Sequence, residues 1–265
     1  MSILSTKNMS KRMKKQNAFT LAEVLITLGI IGIVSALTIP TLITKYKIKQ
    51  HEIAFKKADA MIQEALKKSL YEMGYADASE LNISKMSYDA GDSIALNQTI
   101  SELNEIFLKQ FKGIKQLPSC SDLYSYTRIK QYYFFGEDPN GKCYNSETGH
   151  INSPYNTYLL PNGITISDVS LRTASNSKTY YFAGIQVTFD TNGPYKGPNR
   201  IGHDIFTYVS NQKATDVMCN PTIQHSRSWM GCYFFAQKNQ SPLNPSEPYW
   251  NLLYTPKSYW LNYKK

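Results

Sequence analysis

The sequence predicts an α+β fold in which one long N-terminal helix packs against an antiparallel β-sheet. Residues 19–73 combine an apolar stretch with an amphipathic stretch, and both have helical character. From about residue 120 onward, short segments rich in aromatic and β-branched residues alternate with turn residues, which is typical of antiparallel strands. These two observations place the helix before the sheet in the chain.

The composition of the 265 residues excludes a disordered chain, because 42% are hydrophobic and 13% are aromatic. The net charge is +9, but residues 1–18 contain five basic residues and no acidic residue. The remaining chain has 24 basic residues (29 minus 5) against 20 acidic ones. A nucleic-acid-binding protein is expected to keep its basic surplus in the folded part, so nucleic acid is not an expected partner.

Residues 19–44 form the single stretch that is long and apolar enough to cross a bilayer, which excludes a polytopic membrane protein. Val24 to Thr44 carry no formal charge and span about 31 Å as a helix. Glu23 lies near the start of this stretch, where a carboxylate is costly in lipid. It is either the last polar residue of a plain anchor at the membrane surface or a residue with a function of its own.

The order of these features resembles the N-terminal signal of type IV pilins and type II secretion pseudopilins. The basic tract is followed by Ala18, Phe19, the lone acid Glu23 and an apolar run that contains Pro40. The resemblance implies that a prepilin peptidase cuts between Ala18 and Phe19 and methylates the new amine. Glu23 matches the family's acidic assembly residue and Pro40 its helix-kinking proline. Ala18 departs from the family's usual glycine, which implies either slower processing or a peptidase that accepts alanine.

The resemblance also implies an organisation and a function. Residues 1–18 are a removable cytoplasmic leader and residues 19–44 a transmembrane helix for assembly with other pilin or pseudopilin subunits. The expected protein is a structural filament subunit of the bacterial inner membrane, with its head outside the cytoplasm and with an assembly platform and membrane lipid as partners. The alternative is a monomeric membrane-tethered binding protein or adhesin, which has no need for a buried acid.

The helix is expected to continue over residues 45–74 as an amphipathic segment that ends near Gly74. Residues 75–265 are expected to form the globular head. Residues 75–99 are polar and predict a loop-rich region. Thr99 and Glu102 resemble a capping box, which predicts a short helix over residues 100–112.

The head is predicted to be mainly antiparallel β-structure with an irregular C-terminal tail. Pro161-Asn162-Gly163 predicts a turn between residues 158–160 and 164–166. Alternation over residues 185–190 predicts a strand with one buried face. Residues 205–209 and 232–235 are further predicted strands. The proline-containing tail is expected to be held by its aromatic residues Tyr249, Trp250, Tyr259 and Trp260.

The four cysteines, Cys120, Cys143, Cys219 and Cys232, predict two disulfides in the head. Sequential pairing is the simplest of three connectivities. A zinc site is the alternative, but the chain contains no C-x-x-C and its exterior location is oxidising.

Asp190, Asn192 and Asp204 lie in a segment dense in Gly, Pro and Asn, and this segment is similar to one in the heads of some pilin-like proteins. The turn residues account for a rigid turn that needs no metal. The alternative is a calcium site, because carboxylate and amide oxygens suit this ion and major pseudopilins bind calcium in a C-terminal loop.

No catalytic constellation is found in the sequence. The four histidines lie in no metalloprotease or nucleophile–base motif, so the chain is not expected to be an enzyme or to carry another cofactor. The twenty tyrosines suit half-buried strands and subunit interfaces, with a sugar- or DNA-stacking surface as the alternative.

Overall fold

The fold is described from a computed structural model of the chain. The structure describes residues 19–81, 90–117, 132–133, 136–137, 156–172, 184–193, 196, 202–210, 219, 232–242 and 244–252. The chain divides into two compact units, residues 1–45 and residues 46–265. The predicted α+β architecture is confirmed by a long N-terminal helix and an antiparallel sheet.

Helix α1 spans Leu21–Glu72 and contains Pro40. It ends as predicted, because Gly74 adopts a φ of 86°, which is readily accessible to glycine. The N–H of Gly74 bonds to the carbonyl of Tyr71, and the N–H of Tyr75 bonds to the carbonyl of Leu70. This pair of bonds is the Schellman motif, which satisfies carbonyls that the helix itself leaves unpaired.

The second half of α1 packs one face into the core of the larger unit, as the amphipathic pattern predicts. Its most enclosed large side chain is Phe55, which is fully buried. The ring centres of Phe206 and Trp250 lie 4.6 and 5.3 Å from that of Phe55. The buried residues of α1 recur at helical spacing: Phe55, Ala58, Ile62, Ala65, Leu66, Ser69 and Leu70.

Helix α2 spans Ala90–Lys109, so the helix predicted over residues 100–112 begins about ten residues too late and ends three residues too late. The prediction of a loop-rich region over residues 75–99 is therefore wrong from residue 90 onward. Thr99 and Glu102 lie inside the helix and do not cap it. Both residue types are tolerated in helix interiors, and the polar composition upstream concealed the continuing helix. Leu103 and Phe107 are fully buried.

The strands are β1 (Lys115–Gln116), β2 (Tyr132–Tyr133), β3 (Gly136–Glu137), β4 (Thr157–Leu159), β5 (Thr165–Ser167), β6 (Ser170–Arg172), β7 (Gly184–Asp190) and β8 (Ile205–Val209). Within the described residues, six of them form one antiparallel sheet. In this sheet β1 pairs with β4, and β4 pairs with β5. Strands β5 and β6 pair one after the other with the same edge of β7, and β8 pairs with the opposite edge of β7. A separate pair joins β2 and β3.

The turn predicted at residues 161–163 joins β4 to β5, and Gly163 adopts a φ of 88°. Gly193 lies against this turn, because a Cβ added to it would be 2.5 Å from the carbonyl oxygen of Gly163. The close approach of these two backbones leaves no room for a side chain at residue 193.

Strand β7 was predicted with one buried face, but all seven of its residues are buried. The polar side chains on its second face are hydrogen-bonded. The hydroxyls of Thr188 and Thr207 lie 2.9 Å apart, and the N–H of Thr188 bonds to the hydroxyl of Ser167. Alternation identifies polar positions, but it does not distinguish an exposed polar residue from a buried, hydrogen-bonded one.

The strand predicted over residues 232–235 is wrong, because Cys232–Lys238 form a helix, α3. Its aromatic residues have high strand propensity, but contacts four residues apart support the helix. Lys238 Nζ lies 4.6 Å from the ring centre of Phe234, and Gln237 donates a hydrogen bond to the hydroxyl of Tyr233.

The tail contains a further short helix, α4 (Tyr249–Leu252), where irregular structure was predicted. Tyr249 and Trp250 are buried, as expected for residues that hold the tail. The hydroxyl of Tyr249 donates to the carbonyl of Gly202 at 2.6 Å. Tyr259 and Trp260 lie outside the described residues.

Candidate functional site

The first half of α1 presents large apolar side chains to its surroundings all around the helix. Leu21 is 77% exposed and Leu37 is 72% exposed, and the other large apolar residues as far as Ile43 are exposed as well. Among the described helices, α1 is the one long and apolar enough to cross a membrane. Such a surface is unfavourable in water, so it requires lipid or other apolar helices around it.

Glu23 forms a capping box with Thr20 at the start of α1. The N–H and the hydroxyl of Thr20 donate to Glu23 Oε2 at 2.8 and 2.9 Å. In return, the N–H of Glu23 donates to the hydroxyl of Thr20 at 3.2 Å. The carboxylate therefore satisfies otherwise unpaired donors of the first helical turn.

Thr20 is the residue that the sequence analysis missed at this site. The spacing of Thr20 and Glu23 is the S/T-x-x-E pattern that identifies a capping box, so the signal was present in the sequence. Phe19 precedes the box and is exposed, while Ala18 lies outside the described residues. The structure thus places Phe19 and Glu23 within one turn of the start of α1.

Four threonine hydroxyls of the apolar stretch are satisfied within the helix. The hydroxyls of Thr27, Thr38, Thr41 and Thr44 each donate to a backbone carbonyl three or four residues earlier. This arrangement pairs these hydroxyl donors without any contribution from water. A Cβ added to Gly29 or Gly32 would have no heavy atom within 4 Å, so these positions leave space for a closely packed neighbouring helix.

The predicted acidic turn brings Asp190, Asn192 and Asp204 together. Asp190 Oδ1 accepts the N–H groups of Asn192 and Gly193, both at 3.0 Å. The side-chain amide of Asn192 donates to Asp204 Oδ2 at 3.4 Å. Both carboxylates are almost completely buried, with 1% exposure at Asp190 and none at Asp204.

Two buried carboxylates in one turn are electrostatically unfavourable when both are ionised. Burial raises the pKa of Asp190 well above its usual range, and the charge of Asp204 raises it further. The hydrogen bonds from the backbone N–H groups of Asn192 and Gly193 lower the pKa of Asp190. Thr191 contributes a buried hydroxyl that has no hydrogen-bond partner within the described residues. Two carboxylates and a hydroxyl are oxygen donors suited to calcium.

No group of three or more His, Cys, Asp or Glu side chains that could hold a metal occurs in the described part of the chain. A cation at this turn would therefore depend on two carboxylates with amide, hydroxyl or backbone oxygens. The donor chemistry fits calcium better than zinc, which prefers nitrogen and sulfur.

Cys219 and Cys232 form a disulfide, as sequential pairing predicts. Both cysteines are buried, and the bond joins the start of α3 to the preceding segment. Cys120 and Cys143 lie outside the described residues, so their pairing stays a prediction.

Comparison with known proteins identifies the N-terminal segment. The family model of the prokaryotic N-terminal methylation motif matches residues 13–39. No curated protein and no solved structure matches the chain. The matched range includes the predicted cleavage position and Glu23, and this motif suggests a structural protein and not an enzyme. The chain carries the N-terminal methylation motif that is characteristic of the prepilin-type signal of type IV pilins and pseudopilins.

Proposed function

We propose that this chain is a structural subunit, a pilin or minor pilin or pseudopilin, of a type IV pilus-like or type II secretion-like filament. The observation that carries the proposal is an exposed apolar helix that has Glu23 in its first turn and lies within a methylation motif. In this proposal the apolar surface is buried against lipid before assembly and against the helices of other subunits afterwards.

The proposed topology follows from the distribution of charge. The basic leader stays in the cytoplasm by the positive-inside rule, so residues 19–44 cross the inner membrane and the head lies outside the cytoplasm. Prepilin peptidase removes residues 1–18 at the cytoplasmic face. The mature subunit then joins an inner-membrane assembly platform and enters a surface or periplasmic filament.

Glu23 has a proposed role in assembly. After cleavage the α-amine of Phe19 is a cation at the start of the helix, and a neighbouring subunit's Glu23 is its counter-charge. The pair replaces two unpaired charges in an apolar surrounding, each of which costs several kcal/mol. The bonds from Thr20 keep the carboxylate hydrogen-bonded in the single subunit, before a neighbour is present.

We expect the mature chain to begin at methylated Phe19. The measurement is the intact mass of the protein recovered from membranes or from sheared filaments. The replacement Ala18→Gly restores the residue that prepilin signals usually carry before the cleaved bond, so it should speed cleavage without changing the cleavage position. A recovered protein that retains Ala18, or that starts beyond residue 30, contradicts the proposal.

We also propose that Asp190, Asn192 and Asp204 hold a calcium ion that stabilises the head. The support is the pair of buried carboxylates, since a divalent cation would neutralise both. The alternative is a turn in which Asp190 holds a proton instead.

The two alternatives differ in how pH affects the stability of the head. The folded-state pKa of Asp190 is raised, so in chelator its contribution to stability is fully present below the ordinary carboxyl pKa. That contribution is lost as pH rises through the raised value. A bound cation removes this loss because it favours the ionised pair. The midpoint of thermal unfolding of the full chain in detergent should therefore fall with rising pH in chelator and stay level in calcium.

At neutral pH, calcium at a hundredfold excess over its Kd should add about 3 kcal/mol. Asp204→Asn should abolish this gain, and it should also raise stability in chelator because one of the two like charges is gone. Glu247→Gln in the tail is the control and should keep the response to calcium. An unchanged midpoint at millimolar calcium eliminates the metal and leaves the proton-holding turn.

A further inference from the structure

The segment that follows the apolar stretch carries a group of cations that the proposed assembly does not use. Residues 45–50 contain three lysines and no acid. Two of them, Lys47 and Lys49, lie in the larger unit together with Tyr46, and all three side chains are exposed. Tyr46 is 64% exposed although it is a large aromatic residue.

Local ion pairs leave most of this positive charge uncompensated. Lys49 pairs with Glu52 at 2.9 Å, but Glu52 also pairs with Lys56 at 2.6 Å. One carboxylate therefore serves two ammonium groups. Lys47 has no ion pair within the described residues, and its charge helps to lower the pKa of the half-buried His51 after the larger effect of burial.

The positions of these side chains around α1 indicate what surrounds them. At 100° per residue, Tyr46, Lys47 and Lys49 point to different sides of the helix. Ile48, between them, packs against the core. A protein partner would contact one face, whereas lysines and a tyrosine distributed around a helix at the end of an apolar stretch suit the headgroup layer of a bilayer.

We propose that Tyr46, Lys47 and Lys49 form a lipid-binding collar that selects anionic phospholipids at the outer face of the inner membrane. The inference rests on the proposed membrane topology. Val24 to Thr44 cover about 31 Å, which matches a hydrocarbon core of about 30 Å and puts the collar at headgroup depth. The ammonium groups contact lipid phosphates, and the ring of Tyr46 lies at the interface.

The collar gives the unassembled subunit a defined depth in the membrane. Removal of the leader eliminates five basic residues from the opposite side, so the lysines after the apolar stretch then supply the cations at the outer face of the membrane. Entry into a filament must break these contacts, which makes the content of anionic lipid a determinant of subunit extraction.

The test uses the full chain reconstituted in vesicles of phosphatidylglycerol and phosphatidylcholine. Spin-labelled lipids report the association constant for phosphatidylglycerol relative to that for phosphatidylcholine at the protein surface. Lys47→Gln/Lys49→Gln should lower this ratio by about fivefold. Lys49 is partly neutralised by Glu52, so the double replacement removes about one net charge, and one charge near an anionic surface contributes about this factor. The leader is present in every variant, so its own effect cancels. Salt at about 0.5 M should lower the wild-type ratio as well.

The matched control is Lys67→Gln/Lys68→Gln. Like Lys47, Lys67 has no ion pair within the described residues. Like Lys49, Lys68 is paired, and its partner is Glu64 at 2.7 Å. It lies 20 residues further along α1, about 30 Å away, and should leave the ratio unchanged.

Equal ratios for the wild type and the Lys47/Lys49 variant overturn the inference, as does an equal loss in the control. Loss of the preference when inorganic phosphate replaces chloride at constant ionic strength also overturns it, because the lysines would then bind a free anion. A chain that an alkaline wash removes from the vesicles contradicts the proposed membrane topology itself. A stably inserted chain without lipid preference contradicts the collar alone.

Discussion

Replacing Glu23 with glutamine should reduce incorporation into filaments at least tenfold while membrane insertion and cleavage stay close to wild type. Glutamine still accepts hydrogen bonds from Thr20, so the capping box is retained and the negative charge alone is lost. An amine left without its counter-charge in an apolar surrounding costs several kcal/mol, which corresponds to more than a tenfold change in an equilibrium.

Glu23→Ala removes both the charge and the cap, and it separates the two roles. If the charge governs assembly, the alanine and glutamine variants should be equally defective in a sheared-filament assay. If capping governs it, glutamine should behave as the wild type. Glu64→Gln removes an exposed acid from the same helix and should have no effect. Wild-type incorporation by Glu23→Gln would contradict the role of Glu23 as a counter-charge. Absence of the wild-type chain from sheared filaments would favour the monomeric tethered binding protein over the filament subunit.

Phe55→Ala should destabilise the head by about 3–5 kcal/mol, the range for removing a large buried aromatic side chain. Phe55 is fully buried, and its ring contacts Phe189, Phe206, Tyr233 and Trp250. Its loss leaves a cavity where α1, the sheet, α3 and α4 meet. Urea unfolding of the full chain in detergent, followed by aromatic circular dichroism, measures the change.

Ile53→Ala is the matched control for this variant. Ile53 lies two residues away on the same helix and is 57% exposed, so its replacement should change the free energy of unfolding by about 0.5 kcal/mol or less. Equal effects of the two replacements would contradict the packing of Phe55 at the centre of the head.

The elements that the sequence predicted well are those whose pattern is local. The long helix, its end at Gly74 and the hairpin at residues 161–163 depend on spacing and turn residues within a few positions. The prediction failed where two local signals competed. The aromatic residues at 232–235 favour a strand by propensity, but the segment is helical. In this helix Cys232 is bonded to Cys219, and the hydroxyl of Tyr233 donates a hydrogen bond to Asp59.

The candidate sites divide in the same way. Glu23 and its partner Thr20 are three residues apart, so the site at the start of α1 is contained in the sequence, and the methylation motif agrees with it. Asp190 and Asp204 are separated by the connection between β7 and β8, and the pattern alone did not reveal that both are buried.

The sequence by itself determined the membrane-length apolar helix, the acid at its start and the basic tract before it, because uncharged length and charge position are properties of consecutive residues. Only the tertiary structure decided that β7 is buried on both faces and that Asp190 and Asp204 share one enclosed turn. It also decided that residues 232–238 are helical. The physical reason is that burial and the pairing of polar groups depend on residues distant in the chain, whose approach no local pattern encodes.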